Sequence, residues 1–330
     1  MGLAILTRHR RRITDALASA LRGDTELRSI LAYHVGLTDE GGRSSDAVGK
    51  LLRPSLVLFV AEQLGAPLED ALPAAVGLEL IHNFSLIHDD IQDGDRIRRG
   101  RPTVWTTWGT NEAINAGDLM HTLAVRTALD SGAIAASLLL AATAAMIEGQ
   151  SMDLGFETRF VKLEEYLRMI DGKTGALLVA AFELGGAVAA ADEATQATLR
   201  TLGRAVGRAF QIQDDLLGIW GDAKVLGKPN ASDIRQRKKS YPTVLAFDRA
   251  DSEDRSALCR IYASGDPAPT DADVEWVIEL MTRLGIQETG QATVKEHLHE
   301  AAQALDNLPF SSEGRRNLED LIDYLARRKK

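Results

Sequence analysis

The chain contains a single cysteine, Cys259, so no internal disulfide can form, and neither a disulfide scaffold nor a cysteine-based zinc site is available. A lone thiol fits a reducing, cytoplasmic setting. Aromatic residues make up only 5 %, and no stretch alternates apolar and polar residues as a half-buried strand would. Proline is absent between Pro102 and Pro229, which leaves the middle of the chain able to run in long uninterrupted helices. Positive charge is not in excess: 38 basic against 47 acidic residues give a net charge of −9, which argues against a general binder of nucleic acid or anionic membrane. Long apolar runs are missing too. The longest uncharged stretch, residues 132–147, is Ala-rich and falls short of the roughly 20 apolar residues a spanning helix needs. It is expected to be a buried core helix, with no transmembrane segment. The N-terminal run Leu3 to Leu6 is brief and followed by Arg8, His9, Arg10, Arg11 and Arg12, which is not the charge order of a signal peptide.

What the chain does have is 330 residues, 45 % of them hydrophobic, with Ala and Leu prominent, a composition that favours helix. An all-α fold is the expectation. The length alone would suit two domains, but no repeat of 20 to 50 residues and no low-complexity linker marks a boundary. One large helical domain over 1–330 is therefore expected. Helical periodicity runs through Ile13–Leu21, Leu51–Leu64, Leu72–Ile91, Ala113–Leu129, Ala133–Ile147, Leu163–Ile170, Gly175–Ala189 and Leu199–Ile219. Two polar loops containing Gly and Pro, Gln92–Thr103 and Gly221–Asp233, each follow an Asp-rich helix end. Beyond Pro242 the pattern is more amphipathic, as in peripheral helices, and the chain ends in the basic run Arg327–Lys330.

The first Asp-rich end reads SLIHDDIQDGD. Asp89 and Asp93 are four residues apart and share a helix face. Carboxylates at a helix C-terminus oppose the macrodipole, and a pair roughly 5–6 Å apart repels by about 3 kcal/mol at an effective dielectric near 20. A cation relieves this, and hard oxygen ligands without His or Cys point to Mg²⁺. Alone, such a cluster also fits a solvated helix end. In FQIQDDLLGIWGD a second cluster, Asp214 and Asp215, closes another apolar helix, with Gln211 one turn earlier. Two such ends in one apolar domain point to metal, and if they face each other they can hold several Mg²⁺ ions around one diphosphate.

Basic residues stand where a diphosphate would need them. Lys50 and Arg53 are three apart at a helix start, and His82 precedes Asp89 by two turns. The loop DRIRRGRP supplies Arg96, Arg98, Arg99 and Arg101, and Arg can grip phosphate with two parallel hydrogen bonds where Lys acts as a point charge. Lys173 and Thr174 in DGKTGAL, with Lys228 and Lys238 around the second loop, complete the set. Taken singly, each also fits ordinary surface.

In this order, GKLLRP, ELIHNFSLIHDDIQD, RRGRPT, GKTGAL, FQIQDDLLGIWGD and GKPNASDIRQRKKSYPT resemble the trans-isoprenyl diphosphate synthases, the polyprenyl synthetase family, over roughly residues 45 to 245. The resemblance implies a single helical bundle of the isoprenoid synthase type I fold around a deep apolar cavity, assembled as a homodimer. It implies that Asp89, Asp90, Asp93, Asp214 and Asp215 bind Mg²⁺ and an allylic diphosphate. Isopentenyl diphosphate falls to Lys50, Arg53, His82 and Arg99, and the allylic side to Arg98, Lys173, Thr174, Gln211, Lys228 and Lys238. Two positions depart from the family. Gly218 stands where many members carry a third Asp of the second motif, and Leu51 where many carry Arg.

The implied reaction is electrophilic alkylation: allylic C–O cleavage, attack on the cation by the double bond of isopentenyl diphosphate, and loss of a proton. Phe84, five residues before Asp89, with Ser85 and the deeper Ile81 and Leu78, is expected to form the floor that limits chain length. In the family this arrangement resembles that of C20 producers, so geranylgeranyl diphosphate is the expected product, with farnesyl (C15) or a C25 diphosphate as alternatives. Two readings of other classes remain. A class I terpene cyclase would need one diphosphate site, and the group of Lys50, Arg53 and His82 argues for two. A di-iron bundle could use Glu79-x-x-His82 and Glu296-x-x-His299, but it leaves the Asp clusters unexplained.

Overall fold

The computed structural model describes residues 4–221, 231–263 and 268–326. In chain order the helices are α1 (Ala4–Arg8), α2 (Arg10–Ala20), α3 (Glu26–Val35), α4 (Leu52–Gln63), α5 (Leu68–Gln92), α6 (Val104–Trp108), α7 (Thr110–Ala128), α8 (Ala133–Phe156) and α9 (Leu163–Ile170). They continue with α10 (Ala176–Val188), α11 (Glu193–Trp220), α12 (Ser232–Arg235), α13 (Tyr241–Arg249), α14 (Ser252–Ile261), α15 (Asp271–Arg283), α16 (Ile286–Asp306) and α17 (Ser312–Ala326). Among the described residues the only strands are β1 (Ile97–Arg98) and β2 (Arg101–Pro102), a two-residue antiparallel hairpin inside the first polar loop. The fold is all-α, as expected.

The chain divides into two compact units, Met1–Thr143 with Ala180–Arg200 and Leu308–Leu318, and Ala144–Val179 with Thr201–Asn307 and Glu319–Lys330. In the first unit α5 is the central element, packed chiefly on α7 and α4. Its side chains from Ala74 to Ile81 are fully or almost fully buried. The periodicity places its start at Leu72, but α5 begins at Leu68 and runs through Pro73. Proline leaves a gap in the backbone ladder, and Ser131 fills it. The Ala74 N–H donates to Ser131 Oγ at 2.9 Å, and that hydroxyl donates to the Asp70 carbonyl at 2.6 Å.

Helix α8 departs from the buried core helix expected at 132–147. It extends to Phe156, and by length and composition it could cross a membrane. One side, with Ala135, Ala136, Leu139 and Met146, is buried, while Ile134 is 71 % exposed and Leu140 and Ile147 also face out. The reason lies in the composition: an Ala-rich helix that is apolar all round can bury only one stripe in a single chain.

The second unit packs around Phe156, Tyr166, Ile170, Ile212, Leu216, Tyr241 and Phe247, with Val277 and Met281 from α15. Between α9 and α10 the helix widens into one π turn, Asp171–Gly175, a local irregularity often found at functional sites. Two contacts hold it. Arg208 grips Asp171 with two hydrogen bonds, Nε to Oδ1 at 2.8 Å and Nη2 to Oδ2 at 2.7 Å. On the other side α8 comes so close at Gly149 that a Cβ there would stand 2.2 Å from the Lys173 backbone nitrogen.

Gly149→Ala must therefore push the π turn away, whereas Gly155, in the same helix, has nothing within 4 Å. Urea unfolding should show Gly149→Ala destabilised by about 1–3 kcal/mol, with Gly155→Ala neutral or stabilised by up to about 1 kcal/mol. Equal behaviour of the two variants would contradict this packing.

Candidate active site

In the first unit, α5 carries Glu79 and His82 about one turn apart and the adjacent Asp89 and Asp90 two turns further on, and Asp93 caps its C-terminus. Asp89 and Asp93 retain the helical i, i+4 relation, the Asp93 N–H donating to the Asp89 carbonyl at 2.8 Å. Asp90 behaves differently. It is 1 % exposed and accepts a hydrogen bond from Arg98 Nε at 2.6 Å. Burial raises its carboxyl to about 6 even though the Arg98 cation pulls the other way. Asp90 thus anchors the hairpin, while Asp89 and Asp93 occupy the more exposed end of the helix.

The hairpin separates the loop arginines. Arg99 and Gly100 form its apex, both with positive φ, 52° and 74°, the requirement of a two-residue type I′ connection in which Asn or Gly is usual. Arg101 lies over the Tyr33 ring at 4.0 Å and donates to the Thr38 carbonyl at 2.8 Å. Arg96 lies over Trp105 at 5.6 Å. Arg99 instead places its guanidinium against Gly49, where a Cβ would stand 2.6 Å from Nη1.

Lys50 is exposed in the segment leading into α4, and Arg53 is half-buried on the first turn of that helix. Arg53 Nε is enclosed with no hydrogen-bond partner. Burial lowers the Arg53 guanidinium from its ordinary value, the Glu79 carboxylate opposes that shift, and the Arg99 cation adds to it. Glu79 is itself buried and accepts from Asn83 Nδ2 at 3.0 Å. Burial, then the Arg53 and Arg99 cations, drive His82 well below its usual range, and burial takes His34 to about 3. Both imidazoles are therefore neutral near pH 7. The charge here is carried by guanidinium and ammonium groups, with an unspent donor on Arg53, which suits an anion with several oxygens.

Phe84 is buried and makes edge contacts with the rings of His88, at 5.0 Å, and His121 of α7, at 5.4 Å. Ile81 and Leu78 are fully buried, and the Ser85 hydroxyl donates back to the His82 carbonyl at 2.8 Å.

In the second unit a cavity of about 290 Å³ gathers Lys173, Thr174, Gln211, Asp214, Asp215 and Lys238, with Asp153, Tyr166 and Asp233. Lys228 lies outside the described residues. The two adjacent aspartates of α11 part company. Asp214 is exposed, whereas Asp215 is buried and accepts three hydrogen bonds: from Tyr166 Oη at 2.6 Å and the Tyr241 N–H at 2.7 Å on Oδ2, and from Gln211 Nε2 at 2.8 Å on Oδ1. Gln211 turns its amide nitrogen to Asp215. Its Oε1 then takes the Thr174 hydroxyl proton at 2.7 Å, which commits the threonine proton and leaves the oxygen lone pairs available.

Lys173 Nζ meets Asp153 Oδ2 at 2.5 Å. At Gly218 the space of the expected third Asp is taken, since a Cβ there would stand 2.5 Å from Asp233 Oδ2. Asp153, Asp233, Tyr166 and Tyr241 were not singled out from the sequence, and Glu79 only as half of a di-iron pair. Asp233 lies within the matching segment GKPNASDIRQRKKSYPT, so it was within reach, whereas Asp153 carries no local signal.

Among the described residues no three His, Cys, Asp or Glu side chains converge as a metal cage. Glu296 and His299 lie exposed on α16, the latter bonded to Gln303 at 2.9 Å, so nothing there assembles the carboxylate–histidine shell of a di-iron centre. A cation that takes one or two carboxylates and draws its other ligands from phosphate and water fits the donor set better.

The polyprenyl synthetase family model matches residues 41–281. The (2E,6E)-farnesyl diphosphate synthase of Mycobacterium tuberculosis is 38 % identical, over 99 % of this chain and 92 % of its own. A geranylgeranyl diphosphate synthase of the same organism is also 38 % identical, over 92 % of this chain and 89 % of its own. Among solved structures, a polyprenyl synthetase from Streptomyces coelicolor A3(2) superimposes with a TM-score of 0.89 at 36 % identity, covering 98 % of each chain. The chain belongs to the polyprenyl synthetase family. It is a trans-prenyltransferase, a prenyl diphosphate synthase.

Burial raises the Asp215 carboxyl to about 7, against the pull of Tyr166 and Tyr241. A carboxyl whose folded value is raised contributes stability below the ordinary carboxylate range and loses it as pH rises through the folded value. In chelator-treated protein without substrate, the stability of the wild type relative to Asp215→Asn should fall between about pH 4 and pH 7, by about 2–4 kcal/mol, and then level off. Urea unfolding across that range checks it, and a flat difference contradicts the raised value.

Proposed function

We propose that this enzyme condenses isopentenyl diphosphate with an allylic diphosphate, and that its main product is the all-trans C20 compound, geranylgeranyl diphosphate. The observation that carries the reading is the pairing of Arg53, with its enclosed and unpartnered Nε, and the apical Arg99, beside the neutral His82. That cluster suits a diphosphate held without metal. The allylic diphosphate falls to the carboxylate clusters. Asp89 and Asp93, and separately Asp214, are the groups that would hold Mg²⁺, with Asp90 and Asp215 fixing their surroundings through Arg98 and Tyr166. When bound, Mg²⁺ supplies positive charge at the leaving diphosphate as the C–O bond breaks.

The chain's own residues do the rest. Arg98, Lys173, Lys228 and Lys238 are assigned to the allylic diphosphate, and Lys50, Arg53, His82 and Arg99 to the homoallylic one. The C1–O bond of the allylic substrate breaks with its electron pair leaving on diphosphate. The double bond of isopentenyl diphosphate then forms the new C–C bond, and a proton is lost to the departing diphosphate, no side chain among the described residues being placed as a strong base. Thr174, its proton committed to Gln211, turns oxygen lone pairs toward the developing cation, an oriented dipole of the kind that stabilises charge without reorganisation. Apolar walls exclude the water that would quench the cation.

Phe84, wedged between His88 and His121, supports the C20 assignment by closing the end of the prenyl path over Ser85 and Ile81. Farnesyl diphosphate is the second reading, favoured by the farnesyl synthase among the relatives. Residues 1–330 act as one polyprenyl synthetase domain, a reading supported by a family match that reaches into both compact units. The outward apolar stripe of α8, Ile134, Leu140 and Ile147, supports a homodimer covering it, in place of lipid. A half-buried lone thiol fits the cytoplasm.

Incubation with Mg²⁺, isopentenyl diphosphate and dimethylallyl, geranyl or farnesyl diphosphate, followed by product chromatography, should give C20 as the longest main product. Phe84→Ala should shift products beyond C20, and an unchanged profile overturns the floor. No elongation from any primer overturns the synthase reading, and a cyclic hydrocarbon from one allylic diphosphate favours a cyclase. Sedimentation should show a dimer at micromolar concentration, and Leu140→Glu should give monomers. A wild-type monomer contradicts the assembly.

A further inference from the structure

Immediately before Lys50 the backbone is held from both sides. Arg10, the first residue of α2, donates from Nη2 to the Val48 carbonyl at 2.7 Å and from Nη1 to the Gly49 carbonyl at 2.9 Å. On the other side, the Arg99 guanidinium fills the space of a Gly49 side chain, 2.6 to 2.9 Å from where a Cβ would stand. Two residues after Gly49 the chain turns sharply. Leu51 is 2 % exposed and left-handed, with φ 56° and ψ 34°, a conformation that costs a non-glycine residue of order 1–2 kcal/mol. Arg99 is left-handed as well. Strain of this kind persists only where the surroundings over-determine it, and it concentrates at sites of function.

Arg10 is well placed to over-determine it. Ile13 and Leu17 of α2 are fully buried, and Arg12 of the same helix meets Glu69 of α5 at 3.0 Å. The guanidinium therefore projects from a helix fixed on the core, and its planar fork can satisfy two carbonyls at once, which an ammonium group cannot reproduce. Arg10 lies outside residues 41–281, the span of the family match.

We propose that Arg10 is a positioning residue for the isopentenyl diphosphate subsite: by gripping the carbonyls of Val48 and Gly49 it fixes the backbone that presents Lys50 and Arg53 and forms the shelf under Arg99. The assignment rests on the proposed function for the identity of the ligand. Arg10 does not touch substrate. Its effect passes through the register of Lys50, Arg53 and Arg99, so its loss weakens capture of the homoallylic diphosphate and spares the carboxylate clusters.

The variants are Arg10→Lys, which keeps the charge and loses the fork, and Gly49→Ala, which leaves Arg10 intact and pushes Arg99 off its shelf. Each full-length variant is compared with the wild type by steady-state kinetics and, without Mg²⁺ or allylic substrate, by calorimetric titration with isopentenyl diphosphate. The expected result for both is an apparent KM and a dissociation constant for isopentenyl diphosphate raised about tenfold, with kcat and the KM for the allylic substrate within twofold. An unchanged dissociation constant in Arg10→Lys overturns the proposal, as does a fall in kcat with both KM values unmoved, the mark of a merely structural role. If the wild type binds isopentenyl diphosphate yet elongates nothing, the synthase reading fails while the calorimetric comparison still judges Arg10. If the wild type does not bind it at all, the subsite and the proposal both fall.

Discussion

A charge taken out of water must find a partner or give itself up by changing protonation, and this protein makes that choice residue by residue around its candidate site. Asp90 is given to Arg98, Lys173 to Asp153 and Asp171 to Arg208, while Asp215 is surrounded by three donors. These contacts hold the local structure in place. They fix the hairpin, the π turn and the amide of Gln211. His34 and His82 take the other course and stay neutral. Closer to solvent lie Asp214 in one unit and, in the other, the Asp89 and Asp93 helix end, with Lys50 exposed before Arg53. In the proposed function, diphosphates with Mg²⁺ are the ligands of both arrangements.

Local backbone preference is overruled at the same places. Leu51 and Arg99 adopt the left-handed conformation without being glycine, and the helix carrying Lys173 and Thr174 opens into a π turn. Each departure lies beside residues of the candidate site. Each is also stabilised from a distance: Leu51 by its burial and by Arg10 on the segment before it, the π turn by Arg208 and by the close approach of Gly149. Rigidity at the site is thus supplied by contacts made far away in sequence.

That separation explains how much could be read from the sequence. The long helices between Leu51 and Ile219 follow from periodicity, because amphipathic spacing is a local property. The Asp clusters, the GKTG segment and the basic loop were likewise visible as local motifs. Long-range contacts were not. Nothing near Pro73 announces that Ser131 will mend its helix, so the start of α5 was placed four residues late. The division of labour within each Asp pair was hidden too, since Asp215 is decided by Tyr166, 49 residues away. The outward face of α8 was not legible either, because apolar composition tells that a surface wants covering and not what covers it.

In the proposed reaction metal reaches the more exposed carboxylates of Asp89, Asp93 and Asp214 and leaves Asp90 and Asp215 in the hydrogen bonds they already make. The most direct measurement is anomalous diffraction from crystals grown with Mn²⁺ and an unreactive allylic diphosphate analogue. Mn²⁺ should appear within about 2.3 Å of carboxylate oxygens of Asp89 and Asp93, and of Asp214, with Asp215 still bonded to Tyr166 and the Tyr241 amide. Metal seated on Asp215 with those bonds broken, or a diphosphate bound at the carboxylates with no metal, would contradict it.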